Sequence, residues 1–237
     1  MPQDPPSRRP PGLAEDAAAF TAAAPVTAPP GRAIAALAPI VRGRSVFVIG
    51  SAPGASLEGA QDCDLVATVN ASLAPFAGLV PDIHFINGFT TLARKPVSAR
   101  SMALLAGRRA RHLFCITRAM DFEAMCAALR AAGFAWTRAH EITAAERRAS
   151  NERELGRELG GENGTNVAST GISALCLIRQ AGAARIRATG FSLHPGHSYD
   201  DALHARGHVA VDSAIFAQRY WRGVLGAGAA RGGGDGV

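Results

Sequence analysis

The sequence predicts an α/β fold with a mostly parallel sheet covered by helices on both faces. Short continuous apolar runs, of which Val46-Phe47-Val48-Ile49 is the strongest, suit strands buried on both sides. These runs alternate with segments whose apolar residues recur at helical spacing, the signature of a parallel sheet with crossover helices. Small-residue or asparagine-ended loops follow several of the strands, where open α/β sheets hold their ligands.

Taken in order, residues 1–32 form a Pro- and Ala-rich arm without packing periodicity, expected to be disordered. A short helix is predicted over 33–41 and the first strand over 45–50. That strand delivers the loop Ser51-Ala52-Pro53-Gly54-Ala55-Ser56-Leu57, a small-residue turn with two hydroxyls. It lacks the Lys-Ser or Lys-Thr pair of a P-loop and the glycine spacing of the dinucleotide fingerprint. A second strand, 65–70, ends in Asn70, where a dinucleotide binder usually places an acidic residue for the ribose. A third, 83–86, is followed by Asn87. Asparagine is a poor strand former, so two strand-end asparagines suit amides that read a base or ribose edge. Each also fits a plain turn cap.

Helices are predicted over 98–107 and 121–132, the second stopped by Gly133, with a fourth strand over 112–117 between them. Residues 144–159 are densely charged and read as an exposed helix laced by ion pairs, part of a lid spanning 144–163. The glycine-rich 160–164 would be its hinge. Then Ser169-Thr170-Gly171 opens an apolar helix carrying Ile172, Leu175, Cys176 and Ile178, with Gly182 as its stop. A helix start of this kind offers free N–H groups and hydroxyls to an anion such as phosphate. The strand 186–190 follows, and the next loop holds four of the seven histidines. Residues 209–225 read as a last helix and 226–237 as a flexible Gly-rich tail. The domain thus runs from 33 to 225.

Composition narrows the function classes. The chain has 237 residues, 48% hydrophobic, enough for one core of ordinary size. The formal charge is +6, but Lys95 is the only lysine and the arginines are scattered. A nucleic-acid stripe would be denser and interleaved with aromatics, so no nucleic-acid partner is expected. Peripheral contact with an anionic membrane surface stays open, as does a homo-oligomer. The four cysteines are far apart, which excludes a zinc knuckle or disulfide framework and points to a reducing compartment. The longest apolar stretches are too short to span a bilayer, and no signal peptide is evident. A cytoplasmic location follows, peripheral to the inner membrane at most.

At this point the residues resemble a family. The layout from 45 to 216 is similar to the bacterial sialyltransferases of glycosyltransferase family forty-two, with a fainter likeness to the sialyl motifs of animal enzymes. Ile49-Gly50-Ser51-Ala52-Pro53-Gly54-Ala55-Ser56-Leu57 looks like their Gly-Asn-Gly-Pro-Ser-Leu loop. Asn70 and Asn87 fall where the family carries asparagines contacting nucleotide and sugar. Ser169-Thr170-Gly171 and Gly190 parallel the family's Thr-Ser-Gly helix and following strand. Tyr199, then Gly207-His208 with Asp212 and Phe216 behind it, parallels a leaving-group tyrosine and the Gly-His that supplies the base. The departures are a first loop two residues longer, Ser51 for an asparagine, His194 for a second tyrosine and Ser192 for an aspartate. No arginine closely precedes Ser169.

The resemblance implies a Rossmann-like, GT-A-like nucleotide-binding domain that transfers a sugar from a CMP-activated donor to a glycan or glycolipid hydroxyl, with inversion. It implies no metal and no cofactor beyond the CMP-sugar substrate. His208 would be the general base, with Tyr199 and His194 on the departing phosphate. Gly50, Ser51, Ser56, Asn70, Asn87, Ser169, Thr170, Gly171 and Gly190 would hold the nucleotide. Three other readings fit the same residues. His208 can simply cap the last helix. His204 and His208, with His194, His197 and Asp200 nearby, can hold a metal for hydrolysis, although Gly207 argues against a helix through both. A non-catalytic nucleotide-binding module or a pterin diphosphokinase-like protein would keep the glycine loop and Ser169-Thr170 without needing His208.

Overall fold

A computed structural model describes residues 31–52, 54–88, 96–117, 121–155 and 168–191, with backbone alone for 96–100. Among these residues, six strands form one sheet: β1 (Ser45–Ile49), β2 (Leu65–Val69), β3 (Ile83–Asn87), β4 (Arg109–Thr117), β5 (Ala135–Thr143) and β6 (Arg185–Thr189). Their spatial order is β5-β4-β3-β2-β1-β6, and every pairing is parallel. This is the Rossmann-like arrangement expected from the alternating pattern. The chain builds outward from β1 through β5, then returns to add β6 on the other side of β1. The order therefore reverses between β1 and β6, the position at which open α/β sheets form a ligand crevice beyond the strands' carboxyl ends.

Among the described residues, five α-helices flank the sheet: α1 (Arg32–Val41), α2 (Pro96–Leu105), α3 (Phe122–Ala131), α4 (Ala144–Leu155) and α5 (Thr170–Gln180). Alternate strand residues feed two cores. On one face Val46, Val48, Val69, Phe85 and Phe114 pack with α1 and α5. On the other, Ile86, Leu113 and Cys115 pack under Leu105 of α2 and Met125 and Leu129 of α3. Helix α5 lies buried along nearly its whole length, from Thr170 to Ile178. That is why its sequence is apolar on every side.

One strand had no counterpart in the sequence reading, and one expectation needs correction. Residues 135–143, which lack a clean alternation, form the nine-residue edge strand β5. Its partner on one side is β4, and most of its residues are half-exposed or exposed, so no apolar face marks it. The charged segment after it is not a solvated helix. Arg147, Ser150, Asn151 and Leu155 form a buried stripe of α4 against α5. The ion pair found there joins helices, Arg179 to Glu154 at 3.4 Å. The buried charge is tolerated because α5 supplies hydrogen-bond partners for it.

Helix α4 starts with a reciprocal cap. The Thr143 N–H donates to Glu146 Oε2 at 2.9 Å, and the Glu146 N–H donates to Thr143 Oγ1 at 3.1 Å. The other carboxylate oxygen accepts from the Ala33 N–H at 3.1 Å, so one side chain closes the starts of α4 and α1. Burial alone would raise the Glu146 carboxyl. The bonds from Thr143, Ala33 and Arg32 outweigh it and hold the group below its ordinary value.

Candidate functional site

The carboxyl ends of β1 and β6 approach closely enough to exclude side chains. The Gly50 N–H donates to the Thr189 carbonyl and the Ala52 N–H to the Gly190 carbonyl, both at 2.8 Å, so the ladder runs on past the strands. A Cβ on Gly50 would collide with the Gly190 carbonyl oxygen, and a Cβ on Gly190 would lie 2.5 Å from the Gly50 carbonyl oxygen. Gly190 also has a φ of +68°, which favours glycine. These two glycines set the floor of the crevice.

Gly171 has a different reason to be small. A Cβ there would sit 2.7 Å from the Phe191 ring, and one on Gly50 would sit 2.9 Å from the same ring. Phe191 therefore wedges between the first turn of α5 and the end of β1. Sequence reasoning did not single out this residue, although an aromatic directly after a strand-end glycine is a visible signal.

The two asparagines meet. Asn70 follows β2 with a φ of +49°, a left-handed conformation that asparagine tolerates better than most residues. Its Oδ1 accepts from the Asn87 N–H at 3.1 Å, so one amide ties the ends of β2 and β3 together. The Asn87 Nδ2 then donates to Thr170 Oγ1 at 3.4 Å, reaching the first turn of α5. Asn87 is half-buried and Thr170 is buried. Residues a hundred positions apart in the chain thus meet at one edge of the sheet.

The start of α5 is capped by Ser169, whose Oγ accepts from the Ile172 N–H at 3.3 Å. One first-turn donor is thereby satisfied by the chain itself. Ser51 is half-buried in the bend after β1. Ser56 is exposed, its Oγ accepting from the Glu58 N–H at 3.4 Å and its own N–H donating to Thr189 Oγ1 at 3.2 Å. Those bonds fasten the loop to β6.

Charge at this edge comes from the backbone, because the gathered side chains are neutral amides and hydroxyls. The described histidines lie elsewhere. Burial pushes His84, within β3, down to about 3, leaving a neutral ring whose Nδ1 is 2.8 Å from Thr68 Oγ1. Burial also lowers His112 and His140, on β4 and β5 away from the crevice. The candidates His194, His197, Tyr199, His204 and His208 lie outside the described residues, as do the arm before 31, the segment 156–167 and everything after 191. Among the described residues no cluster of His, Cys, Asp and Glu could hold a metal ion, and no helix is long and apolar enough to cross a membrane.

No protein-family model matches the chain, and no curated protein matches it. The geometry of the edge must carry the functional argument.

Proposed function

We propose that the protein is a sialyltransferase-like glycosyltransferase that binds a CMP-activated sugar at the β1–β6 crevice. The observation that carries this reading is the convergence of Asn70, Asn87 and Thr170 beside the glycine-floored reversal point. An amide carries both a donor and an acceptor, of which Asn70 Oδ1 and Asn87 Nδ2 are engaged at the edge itself, while the opening of α5 offers backbone N–H groups to phosphate. Gly50 and Gly190 let the ends of β1 and β6 close on each other, and in this reading the nucleotide lies against them with Ser51, Ser56, Ser169 and Gly171 around it. In this reading residues 192–208, which come after Phe191 in the chain, supply the groups that act on the sugar and phosphate.

In the proposed reaction the acceptor hydroxyl of a glycan or glycolipid attacks the anomeric carbon of the donor. A new glycosidic bond forms as the bond to the CMP phosphate breaks, with inversion. His208 takes the hydroxyl proton, for which an ordinary histidine pKa of about 6.5 leaves enough neutral base. Tyr199 and His194 donate hydrogen bonds to the departing phosphate. No metal takes part in this reading: the Asp-x-Asp pair present, Asp62-Cys63-Asp64, lies before β2 at the amino-terminal side of the sheet, with Asp64 bonded to Ser45 and Asp62 paired with Arg187. A cytoplasmic protein with peripheral access to the inner membrane would meet both substrates.

A nucleotide comparison tests the donor class. A ligand at one hundred times its Kd stabilises the fold by about 2.7 kcal/mol, a readily measured thermal shift. CMP is expected to raise the melting temperature more than UMP, GMP or NAD. Equal shifts for all four, or none, would remove the CMP reading. CMP binding with full tolerance of His208 replacement would favour the non-catalytic module.

A further inference from the structure

The first turn of α5 is held from behind by α4. Arg147, only 6% exposed, donates from Nε to Ser173 Oγ at 2.9 Å and from Nη2 to the Ala168 carbonyl. Ala168 immediately precedes the cap Ser169. Ser173 Oγ in turn donates to the Ser169 carbonyl at 3.0 Å and accepts from Asn151 Nδ2 at 3.1 Å. A guanidinium and an amide from one helix therefore fix both the entry and the end of the other helix's first turn.

Packing alone does not call for this arrangement. Ser150 Oγ, Asn151 Oδ1 and Gln180 Oε1 are buried at the same interface without a hydrogen-bond partner among the described residues. Each such atom opposes folding, and an apolar interface of the same shape would be more stable. Polar contacts of fixed direction give something an apolar contact does not, a single register of α5 against α4. The register matters because Thr170, two residues after Ala168, carries the hydroxyl that meets Asn87.

We infer that Arg147 is a positioning residue for the phosphate of the bound nucleotide, acting through the Ala168–Ser173 turn. This rests on the proposed nucleotide site. Arg147 does not touch the ligand. Its planar fork sets where the α5 N–H groups point, and its charge lies behind the helix start that faces the anion. Lysine, a single flexible point charge, cannot span Ala168 and Ser173 in the same way.

The test compares CMP with cytidine on the full chain, because their affinity ratio isolates the phosphate. In the unaltered protein CMP should bind more tightly than cytidine. In Arg147→Lys the ratio should fall about tenfold, about 1.4 kcal/mol, with cytidine affinity nearly unchanged. Ser173→Ala, a smaller change should the lysine variant fold poorly, should lower the ratio in the same direction. A merely structural role would weaken both ligands together and leave the ratio alone. That result in a folded variant overturns the role of Arg147 while leaving the nucleotide site standing. An unaltered protein that binds neither ligand overturns the site, and the role of Arg147 with it.

Discussion

Gly50→Ala is expected to destabilise the fold by about 3 kcal/mol, and Gly190→Ala by at least as much. The added methyl of Gly50→Ala meets the Gly190 carbonyl, which is backbone and cannot swing aside, and then the Phe191 ring. Gly190→Ala meets the Gly50 carbonyl and Ala55 and adds left-handed strain of about 1–2 kcal/mol. Relief requires parting β1 from β6, which would open the crevice floor. Both variants should therefore lose CMP binding even under conditions where they remain folded. Denaturant unfolding of either variant within about 1 kcal/mol of the parent would show that the strands separate freely, and that the close approach is incidental.

His208→Asn should lower kcat by about 10²–10⁴ while leaving the fold and CMP affinity nearly intact. The separation follows from the division of labour in the proposal. The nucleotide is assigned to the strand ends and α5, whereas the proton transfer is assigned to His208, beyond the described residues. Tyr199→Phe should also slow transfer but weaken donor binding more, because its hydroxyl is assigned to the phosphate before and during reaction. A His208→Asn enzyme that keeps more than about a tenth of the parent kcat would make the histidine a cap, because that remainder is too large for a lost general base. His194 and His197 would then be the candidates for the base.

The parallel sheet was legible because its central strands are buried on both faces and therefore read as apolar runs. β5 was not, because an edge strand with exposed Thr137 and Arg138 and half-buried His140 has no apolar face to announce it. The start of α4 carried a readable signal in Thr143 and Glu146, three residues apart, the spacing of a reciprocal cap. Its burial did not. A stripe of Arg147, Ser150 and Asn151 looks solvated until the partner helix supplies Ser173 and the Ala168 carbonyl.

The candidate site was legible residue by residue but not in its contacts. Asn70 and Asn87 stood out as strand-ending amides, yet only the pairing of β2 with β3 reveals that one holds the backbone of the other. Gly171 was assigned to a phosphate cradle, and its neighbour is the Phe191 ring. A sequence gives a small residue without saying whether a ligand or a side chain needs the space.

Amide hydrogen exchange with and without CMP tests the central claim most directly. Exchange slows where a ligand covers an amide or suppresses local opening. CMP bound at the reversal point should slow exchange at Gly50–Ala52, around Asn70 and Asn87, across Ser169–Ile172 and at Gly190 and Phe191. The opposite, amino-terminal ends of the same strands should not change. CMP protection confined to β5 and α3, or absent from the start of α5, would contradict a nucleotide site at the reversal point between β1 and β6.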